Sequence, residues 1–373
     1  MTVHNIGLLY ESQGKYNEAE TFYKRALVGR ETSLSIHHPD TIQSMDVRVA
    51  GYFLQRGRYE EAMALCQRAL EGQTHQLGAK HLDTLATAHR LADVYEHQGK
   101  YDDAEASYQR ALAGREQQLG ADHRATLDTV NGLAWLYYRQ GEYDTAEPLY
   151  QRALTGQEQQ LGADHLDTLG TVHNLAALYM DQKKYQEAEA LYQRALVGKD
   201  QQPGADHPDT LSTVNNLAVL YDLQGMYVEA EALYQRALAG RDRQLGADHP
   251  DTLFTVNNLA GLYQQQGRYV EAEALYQRAL AGMERQLGPD NPATLTAVHN
   301  IALLHEIQGE YDEAETLYKR ALAGNEKSLG IHHPGTIETR ETLAGVYRKQ
   351  GRDEEAKTLL ARGEEAAKVR LSK

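Results

Sequence analysis

The chain has 373 residues, with 38 basic against 53 acidic side chains and a formal net charge of −15. That balance argues against a nucleic-acid binder, which needs a basic face to collect phosphates, and no apolar run approaches the roughly 18 residues of a membrane span. The one cysteine, Cys66, excludes a disulfide scaffold and points to a reducing, cytoplasmic compartment.

Turn glycines set the beat. Gly57, Gly99, Gly141, Gly225, Gly267, Gly309 and Gly351 fall on a 42-residue period, Lys183 fills the one gap, and Gly14 lies 43 residues before Gly57. A fixed period of this size marks an array of repeats. Before Gly225, the residues Leu211, Val214, Leu217, Ala218 and Tyr221 recur at helical spacing; after it, Tyr227, Ala230, Tyr234, Ala237 and Leu238 do the same. Each unit is therefore predicted to be two antiparallel helices joined by a tight turn. Ala218 and Ala230 stand where larger side chains would hold the helices apart.

In chain order, the first pair covers about residues 1–34 and lacks its opening turn, which suggests a piece of something longer. The second, about 41–77, carries one extra residue between Ile42 and Val47, expected as a bulge, and Cys66 stands there in a core tyrosine slot. Further pairs are predicted near 84–119, 126–161, 168–202, 210–245, 252–287 and 294–329. Pro208 suits a first helical position and Asp209 the positive end of a helix dipole. Pro203 replaces a leucine and should end its helix a turn sooner. The ninth pair, 336–371, ends in the charged run DEEAKTLLARGEEAAKVR and reads as a cap. The expectation is one all-α domain over residues 1–373.

The order L-A-x-L-Y-x-x-Q-G-x-Y-x-x-A-x-x-x-Y-x-x-A-L resembles the tetratricopeptide repeat. With its longer second helix and G-x-D-H-P-D-T connector, the unit looks like the kinesin-light-chain subtype, which also forms the C-terminal array of many NOD-like receptors, notably fungal ones. The resemblance spans essentially the whole chain. It implies a right-handed superhelical solenoid of about nine helix pairs and a binding scaffold rather than an enzyme. First helices in this family line the concave face, so their outward positions are the ones that meet a ligand.

Candidate residues divide accordingly. Of 24 tyrosines, all but Tyr52 and Tyr138 fall in repeat slots, as scaffold. Nine histidines lie in connectors, from His37 and His38 to His332 and His333, too scattered for a zinc site and better suited to local turn bonding. The Glu and Arg of EAEALYQRAL read as exposed faces with i,i+3 or i,i+4 pairs. No catalytic, metal or cofactor motif is present. The first-helix position Asn174, Asn216, Asn258 and Asn300 recurs as asparagine, a mediocre helix residue. It serves either as an amide ladder for an extended backbone or as a bond to the neighbouring first helix. Arg48 and Arg90 replace that asparagine in the second and third pairs, and Trp135, the only tryptophan, lies near Tyr138 and Arg139. Together these predict an aromatic and basic pocket for a segment with an acidic residue beside an apolar or aromatic one. The role that follows is a concave groove for a protein or peptide, in the sensor or adaptor array of a larger protein. A kinesin-light-chain-like cargo adaptor is the alternative, although that family's heptad segment is not among these residues. A purely structural or self-assembling spacer is another.

Overall fold

The computed structural model describes residues 3, 6, 10, 21–26, 53, 58–331 and 333–371. The extra residue near Ile42, together with Arg48, His37, His38 and His332, lies outside them. Two compact units are formed, 1–184 and 185–373. In the first, α1 (Tyr59–Leu77), α2 (Leu82–His97), α3 (Tyr101–Leu119), α4 (Arg124–Arg139), α5 (Tyr143–Leu161) and α6 (Leu166–Asp181) follow one another. In the second come α7 (Tyr185–Lys199), α8 (Pro208–Leu223), α9 (Tyr227–Gln244), α10 (Pro250–Gln265), α11 (Tyr269–Leu287), α12 (Pro292–Gln308), α13 (Tyr311–Ser328), α14 (Pro334–Lys349) and α15 (Asp353–Leu371). No strand occurs among the described residues.

The connector decides where each first helix begins. His207 caps α8, its Nδ1 accepting the backbone N–H of Asp209 at 3.2 Å. His81, His123 and His165 do the same for α2, α4 and α6. In the connector before α12, Asn291 takes over, with Oδ1 accepting from Ala293 at 2.9 Å. Three residues after the cap a buried threonine locks the turn in these connectors: Thr210 Oγ1 donates to the Gly204 carbonyl at 2.8 Å, and Thr252 to Gly246 at 2.9 Å. The first helices therefore start two residues ahead of the threonines that the sequence pattern marks, and Pro208 occupies the first turn as expected. At the far end, Gly225 has a φ of 76°, the left-handed conformation a helix stop requires, and Lys183 adopts 61° without being glycine.

Second helices normally run 19 residues, as in α3, α5 and α11. α7 runs only 15 before a single π turn, Asp200–Gly204, that contains Pro203. The early end predicted from that proline is thus observed.

Within a pair the helices approach closely. Ala218 and Ala230 are fully buried in one cluster with Tyr234. At Gly240 in α9 an added Cβ would sit 2.6 Å from a Leu211 methyl, and the same approach recurs at Gly156 against Leu127. Cys66 is buried as expected, and burial pushes its thiol up to about 12.

Successive pairs are joined by a polar seam. Tyr137 donates its hydroxyl to Glu105 at 2.7 Å, Tyr221 to Glu189 at 3.0 Å and Tyr263 to Glu231 at 2.9 Å. Four arginines of the QRAL and KRAL stretches reach back to the preceding second helix or the turn that ends it: Arg152 to Glu116 at 2.6 Å, Arg236 to Asp200 at 2.5 Å, Arg278 to Asp242 at 3.1 Å and Arg320 to Glu284 at 2.5 Å. This corrects the expectation of pairs within one helix. These arginines are half-exposed, and it is the residue before each that bonds four residues back, as Gln151 does to Glu147 at 3.1 Å and Lys319 to Glu315 at 2.6 Å.

Candidate peptide-binding site

In the first unit, α2, α4 and α6 bring their outward residues around a cavity of about 400 Å³, with Tyr108 of α3 in its wall. Helical spacing accounts for the contributors: His89, Arg90, Asp93, Glu96 and His97 lie on α2, Asp128, Asn131, Gly132 and Trp135 on α4, and Asn174 on α6. Gly132 makes the cavity possible. It stands in the asparagine ladder, and a Cβ there would meet the Tyr108 ring at 2.8 Å.

Bonding at the equivalent tyrosine differs between repeats. In two later ones it reaches a polar residue twelve positions earlier, Tyr276 to Gln264 at 3.3 Å and Tyr318 to Glu306 at 2.8 Å, while the Tyr150 hydroxyl is buried without a partner. Tyr108 instead donates to Asp93 Oδ1 at 2.6 Å. The Asp93 carboxylate also pairs with Arg90 at 2.8 Å. Glu96 then pairs with Arg139 at 2.8 Å and with His97 Nδ1 at 3.0 Å. Burial alone would lower the basicity of His97, but the hydrogen bond and charge of Glu96, with the Asp93 carbonyl, outweigh it and raise the imidazole above its usual range.

Of the residues singled out in the sequence, Arg90, Trp135 and Asn174 line the cavity. Tyr138 packs on Trp135 with ring centroids 5.2 Å apart, and Arg139 lies over the indole at 5.9 Å. Tyr138 also bonds Asp181 at 2.8 Å. Trp135 is half-buried, with part of its ring open to the cavity. The basic character expected here is not what the residues form, because Arg90 and Arg139 are each matched by a carboxylate on α2. Arg48 lies outside the described residues.

The other ladder asparagines belong to the second unit. Asn216 and Asn258 are half-buried on α8 and α10. Asn300 donates across to Asn257 of the neighbouring first helix at 3.2 Å, and Asn215 donates to Asn216 at 3.4 Å. At Asn300 the helix-to-helix bond foreseen as one of two roles is therefore present.

Sequence reasoning missed Asp93, Glu96, Asp128 and Gly132. Two of them carried a signal. Asp93 occupies the position of Ala177, Val219 and Gly261, and Gly132 breaks a row of asparagines. Neither projects an aromatic group, so neither stood out beside Trp135.

A model described as tetratricopeptide repeat matches residues 42–117, 83–159, 124–178, 166–243, 224–285, 251–327 and 294–368, and a second of the same description matches residues 1–40. The chain belongs to the tetratricopeptide repeat family. Among curated proteins it is similar to a nucleotide-binding leucine-rich repeat (NLR)-like protein of Hyaloscypha variabilis, 57% identical over 44 residues, which are 12% of this chain and 4% of that protein. The chain thus spans a small fraction of the curated relative it matches. Among solved structures, repeats of a putative kinesin light chain from Podospora anserina are 27% identical with a TM-score of 0.47, covering 55% of this chain and 97% of that one. The apo quorum sensor NprR of Bacillus thuringiensis is 15% identical with a TM-score of 0.64, covering 97% of each chain, a likeness of fold. Tetratricopeptide arrays are in general non-enzymatic scaffolds that bind proteins or peptides. No described helix of this array is long and apolar enough to cross a membrane.

Proposed function

We propose that this tetratricopeptide array holds an extended segment of a partner protein along its first helices, without catalysing a reaction, as the sensor or adaptor part of a larger cytoplasmic protein. One observation carries the reading: outward residues of three successive first helices converge on a cavity walled by the chain's only tryptophan. Tryptophan, tyrosine and arginine are the residue types that most often dominate interface energy, and all three meet at Trp135, Tyr138 and Arg139. The sensor role draws support from the matched segment of the NLR-like protein. The apolar or aromatic half of the ligand expected from the sequence keeps its place opposite Trp135. Its acidic half loses support, since two of the three guanidinium groups meant to receive it, those of Arg90 and Arg139, already face Asp93 and Glu96.

The test is selection of short random peptides on the full chain, followed by Trp135→Ala. Truncation should weaken selected peptides by about 2 kcal/mol or more while the melting temperature stays within a few degrees. Unchanged affinity with a collapsed melting temperature would make Trp135 a packing residue and sink the reading. Replacing Asn174, Asn216, Asn258 and Asn300 together with alanine should likewise weaken binding more than stability if the amides contact the segment.

A further inference from the structure

The hydrogen-bonding groups around the Trp135 cavity do not balance. Three carboxylates line it, Asp93, Glu96 and Asp128, against one lining guanidinium, Arg90. Asp93 is satisfied by Tyr108 and Arg90, and Glu96 by Arg139 and His97. Asp128 is different. Its side chain is 61% exposed and faces His89 Nε2 at 3.5 Å.

His89 points the same way. It is nine-tenths buried, lines the cavity, and its Nδ1 has no hydrogen-bond partner. Asp93 and Asp128 lie 3.7 and 3.5 Å from Nε2. They favour the proton on that nitrogen, which leaves Nδ1 as an unused acceptor. Oδ1 of Asn131 is a second buried acceptor without a donor. Among the buried lining atoms, the one side-chain donor without a partner is Nε of Arg90. Buried acceptors thus outnumber buried donors around the cavity, and its carboxylates outnumber its guanidinium groups.

We infer that this cavity receives a cationic side chain, arginine or lysine, from the bound partner segment. The inference rests on the proposed reading that a segment lies along these helices. The aliphatic stem of the cation lies along the indole of Trp135, and its head supplies the missing donors at Asp128 and Asn131. Both arginine and lysine are donors only, with five and three N–H groups. A cation over an indole gains further from the negative face of the ring. Gly132 gives the stem its room, because any side chain there would press on Tyr108. The chain's net charge of −15 steers a basic segment toward the array from a distance.

Trp135 is the only tryptophan, so its fluorescence reports occupancy of this cavity and no other place. Peptides selected on the full chain are expected to share an arginine or lysine beside an apolar residue and to change Trp135 emission saturably. Replacing that cation with glutamate in the peptide, or Asp128→Asn in the protein, should weaken binding about tenfold, with the loss shrinking at high salt. Asp128→Glu, which keeps the charge, should retain most of the affinity, and circular dichroism of both variants should match the parent. Selected peptides that need Trp135 but carry no cation, or that ignore Asp128→Asn, overturn this inference and leave the segment-binding reading standing. A selection that yields no Trp135-dependent peptide overturns that reading, and this inference with it.

Discussion

Two mid-helix glycines sit in opposite surroundings. At Gly170 in α6 nothing lies within 4 Å of an added Cβ, so Gly170→Ala should stabilise the first unit by about 0.5–1 kcal/mol, the usual gain on removing backbone freedom. At Gly240 the Cβ would meet the Leu211 methyl groups at 2.6 and 2.7 Å, and Leu211 is fully buried. Gly240→Ala should cost about 1–3 kcal/mol by overpacking, despite the better helix propensity. Urea midpoints of the two variants moving in the same direction would contradict the close approach. Asp222 offers a pH-dependent case at the same scale. Burial pushes its carboxyl from 3.8 up to about 6, one oxygen is buried with no partner, and the other accepts from Gln265 at 3.3 Å. A raised acid favours the neutral form in the fold. Its stabilising contribution is therefore complete below 3.8 and lost as pH rises through about 6. Asp222→Asn should stabilise the protein relative to the parent, by an amount that grows between pH 4 and 7 and, discounted for partial solvent screening, reaches on the order of 1–2 kcal/mol, read from urea midpoints. A difference independent of pH would remove Asp222 as its source.

At the scale of an element, most first helices rest on an imidazole where a serine or aspartate is the commoner cap. His207→Ala should cost about 1 kcal/mol, whereas His207→Asn should be nearly neutral, because Asn291 performs the same task before α12. Equal melting temperatures for the two variants would show that the cap contributes nothing. The helices themselves were legible in the residues because their signals are local. Turn glycines, the Pro203 break and the alanine and tyrosine slots all act within a few positions of where they stand. The arginine seam was not legible in that way. Arg278 and Asp242 are 36 residues apart and become neighbours only once two pairs are stacked. The cavity divides along the same line. Trp135, Tyr138 and Arg139 were visible as departures from the repeat, while Glu96, the carboxylate that neutralises Arg139, lies on the preceding first helix, 43 positions away in the chain.

Within each unit the helix pairs are held by contacts with their neighbours, so stability should divide by repeat. Deleting residues 252–293 removes one period from the second unit and places Arg320 opposite Asp242 where it now meets Glu284. The shortened protein should keep its helical circular dichroism per residue and melt somewhat lower; complete loss of helicity would refute nearest-neighbour stacking. The same seam has a kinetic consequence. Its donors and acceptors repeat so faithfully that the pair at 210–245 and the pair at 252–287 present nearly the same docking face. Side chains alone do not number the hairpins; the covalent order of the chain does. A refolding chain can then skip a copy and dock one hairpin too far along, or accept a hairpin from another molecule. Refolding yield should accordingly fall as protein concentration rises, and the lost material should appear as entangled dimers that are fully helical.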